Sequence, residues 1–387
     1  MGMTTMVGIG AVTGYGWGRE ALWRGVMSGK SAAELVDGYG RGCSEPGWVV
    51  RVPEGGRADD GGTRYVRAMR WAAREAIENA RERGWTPGRR VGLVHAYVLG
   101  DPEQVRASHP KPGDWATIRE YLGLVPSTSV TMLLAEFGFQ GPAMNVSAMC
   151  TSGSAAFITA KSWLDTDVVD DVVVVATDLS ATPGIVGQFE RLRVAITDVE
   201  PASACRPFQT GTRGFVYGEA AVGYVLSNRL RGSGYATLLG GAMTHDAHHV
   251  TSIDPSLCAV VDCFETALHR AGVEPDEVAY LNAHGPGTKQ CDGAESAVLE
   301  RLFPSTTQIY SVKPLTGHCQ AAAAAVEVGV AALATERGIV PAPQHFAGAV
   351  AHPQLLDGPT ATRPGYTVKS SLGMGGHNAV LVLGPGE

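Results

Sequence analysis

Three short segments carry the residues best suited to chemistry. Cys150 lies in Asn145-Val146-Ser147-Ala148-Met149-Cys150-Thr151-Ser152-Gly153-Ser154, where an apolar run gives way to small residues. His284 lies in Asn282-Ala283-His284-Gly285-Pro286-Gly287-Thr288, and His318 in Lys313-Pro314-Leu315-Thr316-Gly317-His318. A thiolate attacks a thioester carbonyl directly, and imidazole N–H groups stabilise an oxygen that gains negative charge. The set points to an acyl-transferring, carbon–carbon bond-forming cysteine chemistry. Each residue alone has a blander reading, since cysteine is among the most buried residue types and a single histidine is more often structural. A zinc site would draw its ligands from three distant loops with no short-spaced pair, so no metal is expected.

These residues need elements to position them. The small, mostly apolar stretch after Cys150 reads as a buried helix whose N-terminal dipole favours a thiolate. His284 follows an apolar run and precedes a glycine-rich turn, the strand-end position where α/β sites gather. Strands are predicted at 7–13, 91–98, 171–177, 235–239, 278–283, 308–312 and 379–383, with a further one ending at Val146. Helices are predicted at 64–81, 256–271 and 319–336. Residues 101–115 read as a surface loop. A strand leads to Cys150 in the first half and another leads toward His318 in the second, which suggests a duplicated unit divided into 1–232 and 233–387. Gly8-Ile9-Gly10 lacks the third glycine of a dinucleotide loop, where Thr13 stands, so no nucleotide site is expected.

Bulk properties narrow the class. The 387 residues are 44% hydrophobic and 18% charged, which fits a globular enzyme. The net charge of −7 gives no general attraction to nucleic acid or anionic membranes. Seven cysteines without a CxxC pair do not form a secreted disulfide framework, and Cys258 and Cys263 read as packing residues. With no signal-like start and no long apolar span, the expected location is cytoplasmic. Arg64, Arg67, Arg70 and Arg74 share one face of the 64–81 helix, opposite Met69, Ala72, Ala73, Ala76, Ile77 and Ala80. That face reads either as a solvated surface or as a docking strip for an acidic partner.

Further motifs join the three segments: Arg206-Pro207-Phe208 with Gly214-Phe215-Val216-Tyr217-Gly218-Glu219, then Asp246-Ala247-His248-His249-Val250-Thr251-Ser252, then Gly373-Met374-Gly375-Gly376-His377-Asn378. Together they resemble the elongating β-ketoacyl-acyl-carrier-protein synthases, the Cys-His-His condensing enzymes, over nearly the whole chain. The resemblance implies an α/β thiolase fold with a duplicated five-layer αβαβα core. It implies Cys150 as acyl-accepting nucleophile, with the amides of Cys150 and Met374 as oxyanion hole. His284 and His318 would assist malonyl decarboxylation and stabilise the enolate. Lys313 would pair with Glu327, and Glu295 would support the His284 loop. Thr251, Thr288, Met149 and Gly375 would lie along the pantetheine and acyl path. No permanently bound cofactor is implied; phosphopantetheine thioesters are the substrates. The implied partners are an acyl carrier protein, docking on the Arg64, Arg67, Arg70 and Arg74 face, and a second subunit. That subunit is either another copy or a chain-length-factor-like protein.

The departures are Pro286 where the family has Thr, Met374 where it has Phe, a bulky Met149, Arg213 in place of Asp, and a short 94–144 segment. They suggest specialised polyketide or fatty acid synthesis. They also motivate a rival, in which Cys150 passes its acyl group to an alcohol or amine without condensation. A second rival is a non-catalytic chain-length-factor-like subunit, against which the retention of Cys150, His284, His318 and Lys313 argues.

Overall fold

The computed structural model describes residues 3–57, 60, 62–107, 118–229 and 234–386. Ten strands define the main sheet: β1 (Thr4–Thr13), β2 (Val91–Ala96), β3 (Ala143–Val146), β4 (Asp171–Asp178), β5 (Ala220–Ser227), β6 (Ala236–His245), β7 (Val278–Asn282), β8 (Gln308–Tyr310), β9 (Tyr366–Gly373) and β10 (His377–Pro385). The helices that matter here are α1 (Arg64–Glu82), α2 (Pro126–Phe137), α3 (Ser152–Asp165), α4 (Cys258–Ala271), α5 (Lys289–Leu302) and α6 (Ala323–Arg337).

The spatial order is β8-β7-β9-β10-β6-β1-β5-β4-β2-β3, with the short Gly16–Trp17 strand pairing β1. Its two halves follow one pattern. From β1, the neighbours β5 and β4 alternate antiparallel, and β4, β2 and β3 then run parallel. From β6, β10 and β9 alternate antiparallel, and β9, β7 and β8 then run parallel. Pairing of β1 with β6, Thr4 opposite Leu238, joins the halves. The strands before residue 230 build one half and those after 233 the other; the 232/233 boundary lies outside the described residues.

Helices fill the remaining layers. The alanine face of α1 packs on β1, β5 and β4, and α4 packs on β6 and β10. α3 and α6 pack on each other and on strands of both halves, so they form the middle layer. This is the five-layer αβαβα core of a thiolase fold. β4 and β5 are buried along their whole lengths, as central strands covered on both faces must be. Gly8 and Gly10 serve this packing: a Cβ on Gly8 would lie 2.1 Å from the Ala76 carbonyl oxygen, and one on Gly10 2.2 Å from that of Ala72. Their role is close approach of α1 to β1. Among the described residues no helix is long and apolar enough to cross a membrane.

The structure corrects several local expectations. Pro102–Ala107 is a helical turn within the expected 101–115 loop, whose residues 108–115 lie outside the described residues. The helix expected from 319 begins at Ala323, after a 3₁₀ turn at Gln320–Ala322. Cys263 is buried as expected, but Cys258, at the start of α4, is exposed.

The arginine strip is the largest correction. Arg64 is only 6% exposed; it pairs with Glu219 at 3.0 Å and donates to the Val52 carbonyl at 2.7 Å. Arg67 pairs with Glu54, Arg70 with Glu136, and Arg74 with Asp60 and Glu136. Each charge is answered within the chain, and among the described residues the face is met by Val52, Glu54, Gly55, Asp60 and Gly62 and by Glu136 of α2. It is not the open basic strip that docking requires, because the spent carboxylates come from segments that sequence spacing does not connect to α1.

Candidate functional site

The catalytic candidates occupy the carboxyl ends of parallel strands and the turns beyond them. β3 ends at Val146 and leads to Cys150; β7 ends at Asn282 and leads to His284; β8 ends at Tyr310 and leads to Lys313 and His318. β9 ends at Gly373 and hands over to Met374. The fold therefore brings together residues separated by more than 200 positions.

Cys150 follows Met149, whose backbone is left-handed at φ 52°. That turn is closed by Ser152, which donates to the Met149 carbonyl from its backbone N at 3.1 Å and its Oγ at 2.6 Å. Two residues later α3 begins, so the thiol does lie at a helix N-terminus. Burial nevertheless pushes its pKa up to about 11, against the opposing pull of the Lys313 ammonium and the Met374 and Cys150 amides. Desolvation outweighs the dipole, and the resting group is the thiol. The two amides expected to form the oxyanion hole are thus among the groups that oppose the rise.

A thiol held this high has little thiolate at neutral pH, and that fraction rises tenfold per pH unit below its pKa. Alkylation of Cys150 by iodoacetamide is therefore expected to be slow at pH 7 and to climb about tenfold per unit to at least pH 9. Peptide mass spectrometry separates it from the exposed Cys43 and Cys258. A plateau near pH 7 would show a thiolate instead.

His284 and His318 are buried, 2% exposed each, with their rings edge to face at 5.2 Å between centroids. Burial and the neighbouring Lys313 ammonium hold both pKa values well below the usual imidazole range, so both rings are neutral. Their tautomers follow from their contacts. Nδ1 of His318 accepts the backbone N–H of Gln320 at 3.1 Å, and Nδ1 of His284 faces Lys313 Nζ at 3.3 Å. With Nδ1 engaged by a donor, each neutral ring carries its proton on Nε2. The pair presents two N–H donors and no free lone pair.

A buried network holds these rings. Lys313 Nζ donates to the His284 carbonyl and to Glu327. Glu327 also pairs with Lys369 at 2.8 Å, so one carboxylate bridges two buried ammonium groups. Glu295 accepts from the backbone N of His284 at 2.7 Å, from that of Gly285 at 2.8 Å, and from Ser370 Oγ at 2.5 Å. Gly285, at φ 41°, makes the turn that lets both amides reach it. Asp292 steadies the outer loop by accepting from Gly287 N and Phe208 N at 3.1 Å each. Glu295→Ala removes one fully buried acceptor shared by three donors, of which the His284 N–H keeps only its longer contact to Ser370 Oγ. The expected loss is about 3 kcal/mol of stability, read as a lower urea midpoint at unchanged m. A midpoint within error of the parent would refute this supporting role.

Cys150, His284, His318 and Met374 line one cavity of about 820 Å³, together with Thr251 and Thr288. The size falls in the range of small-molecule sites. Pro286 also lines it and offers no N–H, and Thr288 follows it. Met149 and Gly375, expected along the substrate path, are not in the lining; they act through the backbone of the turns that carry Cys150 and Met374. His249 Nδ1 accepts from Thr251 N and Ser252 N at 3.2 Å each, shaping the loop at the cavity edge.

Sequence reasoning missed Lys369, Ser370, Asp292, Gln320 and the 189–198 wall of the cavity. Lys369 and Ser370 lie in β9, which no sequence pattern had identified. Gln320 carried no signal, since a helix running from 319 gave its side chain no particular direction.

Comparisons with known proteins bear on the family and the fold of the chain. A family profile described as "Beta-ketoacyl synthase, N-terminal domain" matches residues 60–231, and "Beta-ketoacyl synthase, C-terminal domain" matches 235–347. The chain is 29% identical over 365 residues to the tetracenomycin polyketide synthase ketoacyl synthase alpha subunit of Streptomyces glaucescens, covering 87% of this chain and 85% of that one. It is 25% identical over 403 residues to the 3-oxoacyl-[acyl-carrier-protein] synthase 2 of Coxiella burnetii, covering 98% and 97%. Among solved structures it shares the fold of a type II PKS ketosynthase in complex with its acyl-carrier protein, with TM-score 0.87, 23% identity and 99% of each chain covered. It also shares that of a ketosynthase from Xenorhabdus doucetiae in complex with its chain length factor, with TM-score 0.84, 22% identity and coverage of 99% and 98%.

Proposed function

The chain belongs to the beta-ketoacyl synthase family, and on that premise we propose that it catalyses decarboxylative Claisen condensation in polyketide or fatty acid biosynthesis. Cys150 takes an acyl group from a phosphopantetheine thioester. Its own amide and that of Met374 hold the thioester oxygen. A malonyl-type thioester on an acyl carrier protein then loses carbon dioxide, and the enolate oxygen is met by the Nε2–H groups of His284 and His318. The enolate carbon attacks the Cys150 thioester and releases a 3-ketoacyl product.

The observation that carries this reading is the shared tautomeric state of two neutral rings beside the thiol. Enolate formation by decarboxylation needs donors and no base, which is what the pair provides. Acyl transfer to an alcohol or amine needs a base to take the nucleophile's proton, and neither ring offers a free nitrogen.

The same reading includes an acyl carrier protein as partner, and a second subunit, either another copy or a chain-length-factor-like protein. The sheet ends at β3, where Ala143 and Met144 are exposed and Asn145 and Val146 half-buried. Among the described residues no strand pairs beyond β3, and an edge of this kind is one a second subunit covers.

The test is product analysis with acyl- and malonyl-loaded carrier protein. Carbon dioxide release with a 3-ketoacyl thioester is expected. An ester or amide formed without carbon dioxide would replace condensation with simple transfer.

A further inference from the structure

Gln320 reaches the nucleophile. Its side chain is buried, 5% exposed, and its Oε1 lies 3.9 Å from Cys150 Sγ, at the limit for accepting the S–H. Its Nε2 donates to the His318 carbonyl at 3.2 Å, which fixes the amide so that the oxygen faces the sulfur. Its backbone is left-handed at φ 45°, a conformation that costs a residue with a side chain. That conformation is held by Gln320 N on His318 Nδ1 at 3.1 Å and by Ala321 N on Asp178 Oδ2 at 3.3 Å. Among the described residues the Cys150 thiol is the donor that Oε1 receives.

Acylation removes that donor. The Cys150 S–H bond and the substrate's acyl–sulfur bond break, the Cys150–acyl bond forms, and the thiol proton leaves with the departing thiol. Oε1 then faces a thioester with no hydrogen to accept, and a buried carbonyl oxygen without a donor is costly. An acyl chain bearing a hydroxyl or enol hydrogen near its carbonyl restores the bond, whereas a saturated chain does not. A site built to accept from a substrate hydroxyl discriminates strongly against the analogue without one.

We propose that Gln320 is a specificity-determining residue that selects acyl groups carrying a hydrogen-bond donor near the thioester, such as 3-hydroxyacyl or enolised 3-ketoacyl chains. The inference rests on the reading of Cys150 as the acyl carrier.

It is tested by rates of Cys150 acylation from 3-hydroxyoctanoyl and octanoyl N-acetylcysteamine thioesters, followed by intact-protein mass spectrometry. In the parent enzyme the hydroxylated chain is expected to load on the order of tenfold faster. In Gln320→Leu and Gln320→Met the ratio is expected to fall to about one or below, with octanoyl loading retained. Equal rates in the parent, or a preference that survives both substitutions, would overturn the assignment. Loading of neither thioester, with the protein folded, would overturn the acyl-enzyme reading itself, and this inference with it.

Discussion

Cys150→Ala is expected to abolish covalent loading and to lower condensation by roughly 10⁴-fold or more, the scale seen when a covalent nucleophile is removed. The side chain is small and faces an open cavity, so the fold should survive, and thermal unfolding close to the parent would confirm it. The variant should still release carbon dioxide from a malonyl thioester. The two imidazole donors and the Lys313–Glu327–Lys369 cluster that holds them do not touch the deleted sulfur through any bond they need. Loss of condensation with retained decarboxylation separates the two half-reactions. If condensation persisted within tenfold of the parent, the acyl group would have to travel on another residue.

His284→Ala and His318→Ala should show the opposite pattern. Each removes one Nε2–H donor from the enolate, and removing one oxyanion donor costs on the order of 10²–10³-fold. Loading of Cys150 should persist, because on the proposed mechanism that carbonyl is held by the amides of Cys150 and Met374 and not by the rings. The two substitutions should not add fully, since both donors act on one oxygen. Each variant also carries a structural cost: His284→Ala removes the ring contact of the Lys313 ammonium, and His318→Ala strands the Gln320 N–H. Unchanged decarboxylation in either variant would remove the two-donor mechanism.

Much of this site was legible because the motifs sit at strand ends. A turn after β7 or β8 must place His284 or His318 at the edge of the sheet whatever the packing behind it. The duplication was visible as rhythm, and the structure gives it form in the matched pairing of the two five-strand halves. What stayed hidden depends on long-range partners. The four arginines of α1 look like a free basic face until Asp60, Glu136 and Glu219 arrive from elsewhere. The thiol looks activated by α3 until its burial is known, and burial then decides the balance. Gln320 becomes significant only because a 3₁₀ turn delays α6 by a few residues and carries its side chain to the sulfur. β5 escaped notice because Ala220, Ala221 and Gly223 lack the β-branched signature; the glycine is there to admit α1, where a Cβ would lie 2.5 Å from the Ala72 carbonyl oxygen.

The central claim is that one sulfur and two neutral rings act in sequence on two thioesters. A single-turnover chase tests it most directly: Cys150 is loaded with an acyl group, malonyl carrier protein is added, and the protein's mass and carbon dioxide are followed together. The account requires the acyl mass to disappear at the rate carbon dioxide appears, one for one, with a 3-ketoacyl thioester as product. Discharge of the acyl group without carbon dioxide, or a loaded enzyme that malonyl carrier protein never empties, would contradict it.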